Sequence, residues 1–116
     1  MTRSRATARA AGTRWETEIV RVLVEAGWPN AERRRLAGSE DKGDIAGVVG
    51  VCIEATNTNR LDLAGAMNEA HREGIRAGAK VSVAWIKRRG KPSAREGYVV
   101  MDGFSFIQLL KEAGYR

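Results

Sequence analysis

The chain has 116 residues, 43% hydrophobic and 29% charged, a length that suits one domain with its own core and leaves no room for two. The formal net charge of +6 points to a polyanionic partner, or else to a merely basic surface. A single cysteine, Cys52, and a single histidine, His71, exclude an internal disulfide and argue against the usual cysteine and histidine ligand sets of zinc.

Residues 1–12 carry Arg3, Arg5 and Arg9, with small residues and no acids between them, so a disordered basic arm is expected ahead of a single domain over 13–116. No apolar stretch follows these arginines in the manner of a secretory signal, and no run approaches the roughly 20 residues of a membrane span. The expected location is the cytoplasm, with no membrane partner. A helix is expected from Thr13, because Trp15, Ile19, Val22, Leu23 and Ala26 recur at helical spacing before Gly27 and Pro29. Three short strands are expected over 31–37, 44–48 and 51–55, punctuated by Gly43, Gly47 and Gly50. A second helix fits 61–77, with Leu63, Ala66, Met67 and Ala70 along one stripe, although Gly65 and Gly74 lower its intrinsic helicity. The alternation of Val81, Val83 and Trp85 predicts a strand over 80–87. Residues 88–97 form a basic loop, 98–101 a further strand, and 104–113 a helix stopped by Gly114. The order α-β-β-β-α-β-β-α predicts an α/β sandwich.

The most informative stretch is DKGDIAGVVGVCIEATN, residues 41–57. A hairpin turning within 47–50 that opposes Ile45 to Ile53 also opposes Asp44 to Glu54. Both acids then share one sheet face, and the isoleucines take the other into the core. Opposed side chains have Cβ atoms about 4.5–5.5 Å apart. Carboxylates at that spacing repel unless a cation lies between them, and hard oxygen ligands suit Mg²⁺ or Mn²⁺. Such a metal activates water and stabilises charge on a phosphodiester. An ordinary hairpin with acids on its solvated face has the same spacing, so the residues alone leave both readings open.

At these residues the chain resembles the PD-(D/E)XK nuclease superfamily, with Asp44 in GDI and Glu54 in IEAT standing at the motif acids. The flanking segments TRWE, AERRRLAGSEDKGDIAG, LDLAGAMNEA, KRRGK and GYVVM are similar to those of actinobacteriophage Holliday-junction resolvases, from about Gly12 to Tyr115. The resemblance implies a restriction-endonuclease-like core, a central mixed β-sheet flanked by helices. It implies Mg²⁺ (or Mn²⁺) at the two acids and cleavage of branched DNA, such as a four-way junction, by a homodimer. It also implies a metal-site role for Glu16 on the first helix. Thr13 to Glu16 equally spells a capping box, in which Glu16 would bond back to the Thr13 amide, and Glu18 is the fallback acid. The family's lysine two residues after the glutamate is replaced here by Thr56, whose neutral hydroxyl cannot offset transition-state charge. Either a nearby cation substitutes, Lys42 and Arg60 being the local candidates, or the protein binds DNA without cutting it efficiently. A third reading, engagement of a protein partner by the same surface, has no specific residue behind it.

The remaining candidates are cationic or polar. Arg33, Arg34 and Arg35 cannot all face one side of a strand, so one or two are expected to reach DNA. Lys87, Arg88, Arg89 and Lys91 suit phosphate contacts or a solvated loop. Asn57 at the strand end is read as a phosphate contact or a turn cap, and Asp41 as a second acid or a turn residue. His71 is expected at the surface or an interface. Trp15, Trp28 and Trp85 are expected in the core or at dimer contacts.

Overall fold

The computed structural model describes residues 3–34 and 43–116. Helix α1 (Arg5–Ala26) precedes strands β1 (Glu32–Arg33), β2 (Ile45–Ala46) and β3 (Val51–Thr56). Helix α2 (Leu63–Ala77), strand β4 (Val81–Ile86), a short 3-10 turn at Ala94–Glu96, strand β5 (Tyr98–Val100) and helix α3 (Gly103–Ala113) follow. The element order is the expected one, and the architecture is α/β: a five-stranded mixed sheet with three helices around it. Strands lie in the order β1-β2-β3-β4-β5, with only β3 and β4 parallel. The parallel pair is joined through α2, as a βαβ unit requires. The far end of the first expected strand, with Arg35, Asp41 and Lys42, lies outside the described residues.

Helix α1 corrects the expected disordered arm, because it begins at Arg5 rather than near Thr13. Ser4 is its N-cap, accepting from the Thr7 amide at 3.1 Å, and Ala6, Ala8, Ala10 and Ala11 are the strongest of helix formers. Low hydrophobicity there reflects alanine, not disorder. The first turns are also tied down: the Arg3 guanidinium donates to the Asn57 carbonyl at 2.9 Å, and Asn57 Nδ2 to the Ala11 carbonyl at 3.3 Å. Thr13 is therefore interior to the helix, and the capping box does not form.

The core lies between α1 and one face of the sheet. Trp15, Ile19, Val22 and Leu23 pack on Ile45, Ile53, Val81 and Val83. Trp15 is 2% exposed, and its ring N–H is satisfied by the Trp85 carbonyl at 2.9 Å. Trp85 in turn donates to the Ala94 carbonyl at 3.0 Å. These two tryptophans take the expected core role, whereas Trp28 is exposed.

Helix α2 covers the opposite face. A Cβ on Gly74 would collide with Ser82 Oγ on β4, so the glycine that weakens the helix in isolation lets it approach the sheet. Helix α3 sits at the sheet edge, where the Ser105 hydroxyl accepts the Ser82 amide at 3.0 Å and so caps a ladder position beyond the end of β5. Its apolar Phe104, Phe106 and Ile107 stay exposed. No helix of the described residues is long and apolar enough to cross a membrane.

Candidate metal centre

The register fixes where the acids point. Arg33 opposes Ile45, and Ile45 opposes Ile53, which pairs with Val83. This row faces α1, and its isoleucines and valine are buried. One step along, Arg34 donates its amide to the Asp44 carbonyl at 2.8 Å, and Asp44 donates its amide to the Ile53 carbonyl at 2.9 Å. By strand alternation Arg34, Asp44 and Glu54 form the next row, on the α2 face. Asp44 Oδ2 accepts the Ala55 amide at 2.8 Å, which holds this carboxylate against β3 where β2 ends.

Above that row α2 contributes Glu69 and Glu73, four residues apart and so on one helix face. Glu54, Glu69 and Glu73 each offer a carboxylate oxygen within 4.8 Å of the others. Glu73 is 3% exposed, and Glu54 Oε2 is buried with no hydrogen-bond partner among the described residues. Burial holds the Glu54 carboxyl well above the usual range; its hydrogen bond with Glu73 and the charges of Asp44, Glu73 and Glu69 push the same way. The Cys52 thiol, on the same face, is pushed up to about 12 by burial and then by Glu73, Glu54 and Asp44, while Arg34 pulls it down. These acids therefore act on one another through a poorly solvated space. A carboxylate oxygen buried without a donor, amid further carboxylates, suits a hard divalent cation. The cluster of three glutamates could hold a metal ion.

Two clefts open on either side of Gly12 in α1, which lines both. One, of about 420 Å³, is lined by Glu54, Thr56, Asn57, Arg60 and Glu69. The other, of about 610 Å³, is lined by Arg9, Thr13, Glu16, Arg33, Arg34 and Asp44. The first cleft is mainly acidic, with Glu54, Asp62 and Glu69 against Arg60, and the second mainly cationic, with Arg9, Arg33 and Arg34 against Glu16 and Asp44.

Of the residues singled out by sequence, Glu54 and Thr56 line the first cleft and Asp44 the second. Glu16 reaches it from α1 and pairs with Arg33 Nε at 3.2 Å, so its partner is a side chain across the fold, not the Thr13 amide. Glu18, the fallback, is occupied elsewhere. It accepts from Arg21 at 2.7 Å and from the Ala94 amide at 2.8 Å, and the Arg21 bond leads in holding its carboxyl below the usual range. Asn57 ties the start of α1 to the end of β3 through Arg3 and Ala11. Arg33 and Arg34 are successive residues at the end of β1, and both line the second cleft.

The loop cations line neither of these two clefts. Arg88 stacks over Tyr98, 5.0 Å from the ring centre. Lys91 sits 3.6 Å from Glu96. Lys87, Arg88 and Arg89 line a separate cleft with Asn59 and Leu61. His71 is at the surface, 3.6 Å from Asp102.

Glu69 and Glu73 were missed by sequence reasoning. The available signal was their place three residues beyond Ala66 and Ala70, where the apolar stripe of α2 turns acidic. Comparison with family models, with curated proteins and with solved structures finds no match to this chain.

Proposed function

We propose that this protein is a metal-dependent endonuclease of the PD-(D/E)XK type that cuts branched DNA, a four-way junction being the substrate of choice. One observation carries the reading: the buried, unsatisfied Glu54 oxygen beside Glu69 and Glu73, with Asp44 close enough for its charge to act on Glu54. Glu54, Glu69 and Glu73 would hold Mg²⁺ or Mn²⁺, with Asp44 nearby, just before β2. Such an ion supplies Lewis acidity and a water acidic enough to attack a phosphodiester near neutral pH. Arg9, Arg33 and Arg34, along the neighbouring cleft that Asp44 also lines, supply cations for DNA phosphates, contacts that set register and affinity without reading sequence. Glu16 orients Arg33 through its ion pair. A second copy of the chain is the partner assigned to the exposed apolar side of α3. This matches a junction with two equivalent strands to be cut, since a two-fold dimer presents two equivalent sites.

A second reading, a nuclease fold that binds branched DNA without cutting it, is favoured by Thr56, a neutral side chain on the strand that carries Glu54. One experiment separates the two. Synthetic four-way junction is incubated with the protein in Mg²⁺ or Mn²⁺, with Asp44→Ala as control. Strand cleavage by the native chain that falls at least a hundredfold in Asp44→Ala supports the enzyme, on the order of the loss expected when an essential electrostatic group is removed. Junction binding without cleavage by either protein supports the binding module.

A further inference from the structure

Strand β3, which carries Glu54, contains no cation, and a metal-assisted phosphodiester cleavage leaves negative charge on the phosphate to be offset from the protein side. Among the described residues, one cation lies in the row of the two sequence-predicted acids. Arg34 is aligned with Asp44 through its amide bond to the Asp44 carbonyl, and Asp44 is aligned with Glu54. Continuing the strand alternation, Arg34 just after β1 and Asp44 just before β2 fall in the row of Glu54 on β3. Arg34 Nε is buried and has no hydrogen-bond partner among the described residues. A buried guanidinium N–H without an acceptor and a buried carboxylate oxygen without a donor, with Asp44 between their strands, are orphans of opposite sense. A phosphate would satisfy the first and a divalent cation the second. The side chain also lines the cleft with Asp44 and Glu16, and its charge is felt at Cys52 among the acids.

The other cations fit less well. Arg33 points to the α1 face and is paired with Glu16. Arg60 is exposed and lines the cleft on the far side of Gly12. Lys42 lies outside the described residues.

We propose that Arg34 is the catalytic cation of this site, contacting the scissile phosphate from the end of β1 in place of a lysine at position 56. This rests on the endonuclease reading above. Hydrolysis adds water across one P–O ester bond: the water oxygen bonds to phosphorus, and the ester oxygen leaves with the bonding pair and takes up a proton. Arg34 exchanges no proton, because a guanidinium stays charged at any working pH. Its contribution is electrostatic, through charge-assisted hydrogen bonds to non-bridging oxygens that strengthen as charge builds.

The test is single-turnover cleavage of a four-way junction with enzyme in excess, with junction affinity measured separately in Ca²⁺. Arg34→Ala should cut about a hundredfold more slowly, with affinity changed only a few-fold, and Arg34→Lys should retain part of the rate. Adding Thr56→Lys to Arg34→Ala should recover at least about tenfold, because an ammonium two residues from Glu54 can reach the same phosphate. Rescue by a cation placed on a different strand is not expected if Arg34 only supports the fold. Thermal melting checks that Arg34→Ala is folded; if it is not, Arg34→Lys and its combination with Thr56→Lys carry the comparison.

Native-rate cleavage by Arg34→Ala, equal losses in binding and cutting, a larger loss in Arg60→Ala, or absence of rescue would each overturn the assignment while leaving the nuclease standing. A native protein that cuts no junction, indistinguishable from Asp44→Ala, removes the nuclease reading and this assignment with it.

Discussion

The two faces of the sheet are built on opposite principles. Toward α1, Ile45, Ile53 and Val83 close a core with Trp15 and Ile19, and the tryptophan N–H groups that enter it find carbonyl partners. Toward α2, the same three strands carry Asp44, Cys52, Glu54 and Ser82. The helix above them lowers Glu73 into the layer, and both Glu54 and Arg34 keep an unsatisfied buried atom. Burial on the first face stabilises by removing apolar area from water. Burial on the second is costly unless charge is neutralised. A fold that leaves a Glu54 oxygen unsatisfied on one face, with a complete core on the other, stores a binding demand that a cation can meet.

Adjacent residues on β3 test that contrast most sharply, because Ile53 and Glu54 point to opposite faces. Ile53→Ala should destabilise by about 2–5 kcal/mol through the cavity it leaves, read as a lowered denaturation midpoint. Glu54→Gln should leave metal-free stability unchanged or raised, since the native carboxyl is already held largely uncharged, and it should abolish any rise in Tm on adding Mn²⁺. A Glu54→Gln loss as large as that of Ile53→Ala would make the second face another structural core.

A smaller effect is expected at Gly74. Gly74→Ala forces α2 away from Ser82 and should cost about 1–3 kcal/mol. Because α2 carries Glu69 and Glu73, the same variant should weaken Mn²⁺ binding measured by calorimetry. Unchanged metal affinity would mean that the approach of α2 to the sheet does not build the site.

The smallest effect is a pH slope. Glu54 has a folded pKa raised above its ordinary value of 4.5. Its contribution to stability is therefore fully present below the unfolded pKa and is lost as pH rises toward the folded one. The metal-free protein should melt at a lower temperature at about pH 9 than at about pH 5. Saturating Mg²⁺ or Glu54→Gln should flatten that slope. A metal-free Tm that rises with pH across this window would show that Glu54 is held charged.

Much of this was legible in the chain. The element order follows from period and punctuation, and the pairing of Ile45 with Ile53 follows from two apolar residues around a glycine-rich turn. Strand parity alone then places Asp44 and Glu54 on one face and separates Arg33 from Arg34. The start of α1 was misread because an arginine-and-alanine segment lacks the apolar stripe that marks a packed helix. Its alanines favour helix regardless, and Asn57, distant in sequence, anchors it.

The acids of α2 and the cation of β1 needed the tertiary structure. Sequence sets which residues share a face of a helix or strand, because the periods of 3.6 and 2 are properties of the local backbone. It does not set how closely a helix lies over a sheet or which of its faces turns down. Here those were decided by the missing side chain at Gly74 against Ser82, which brings Glu69 and Glu73 over Glu54. Arg34 likewise became a neighbour of the acids only when β1 joined the sheet beside β2, a pairing that depends on hydrogen bonds between segments joined by a long connection. Position within an element is local physics; the meeting of elements is a balance of packing and backbone pairing that the whole chain decides at once.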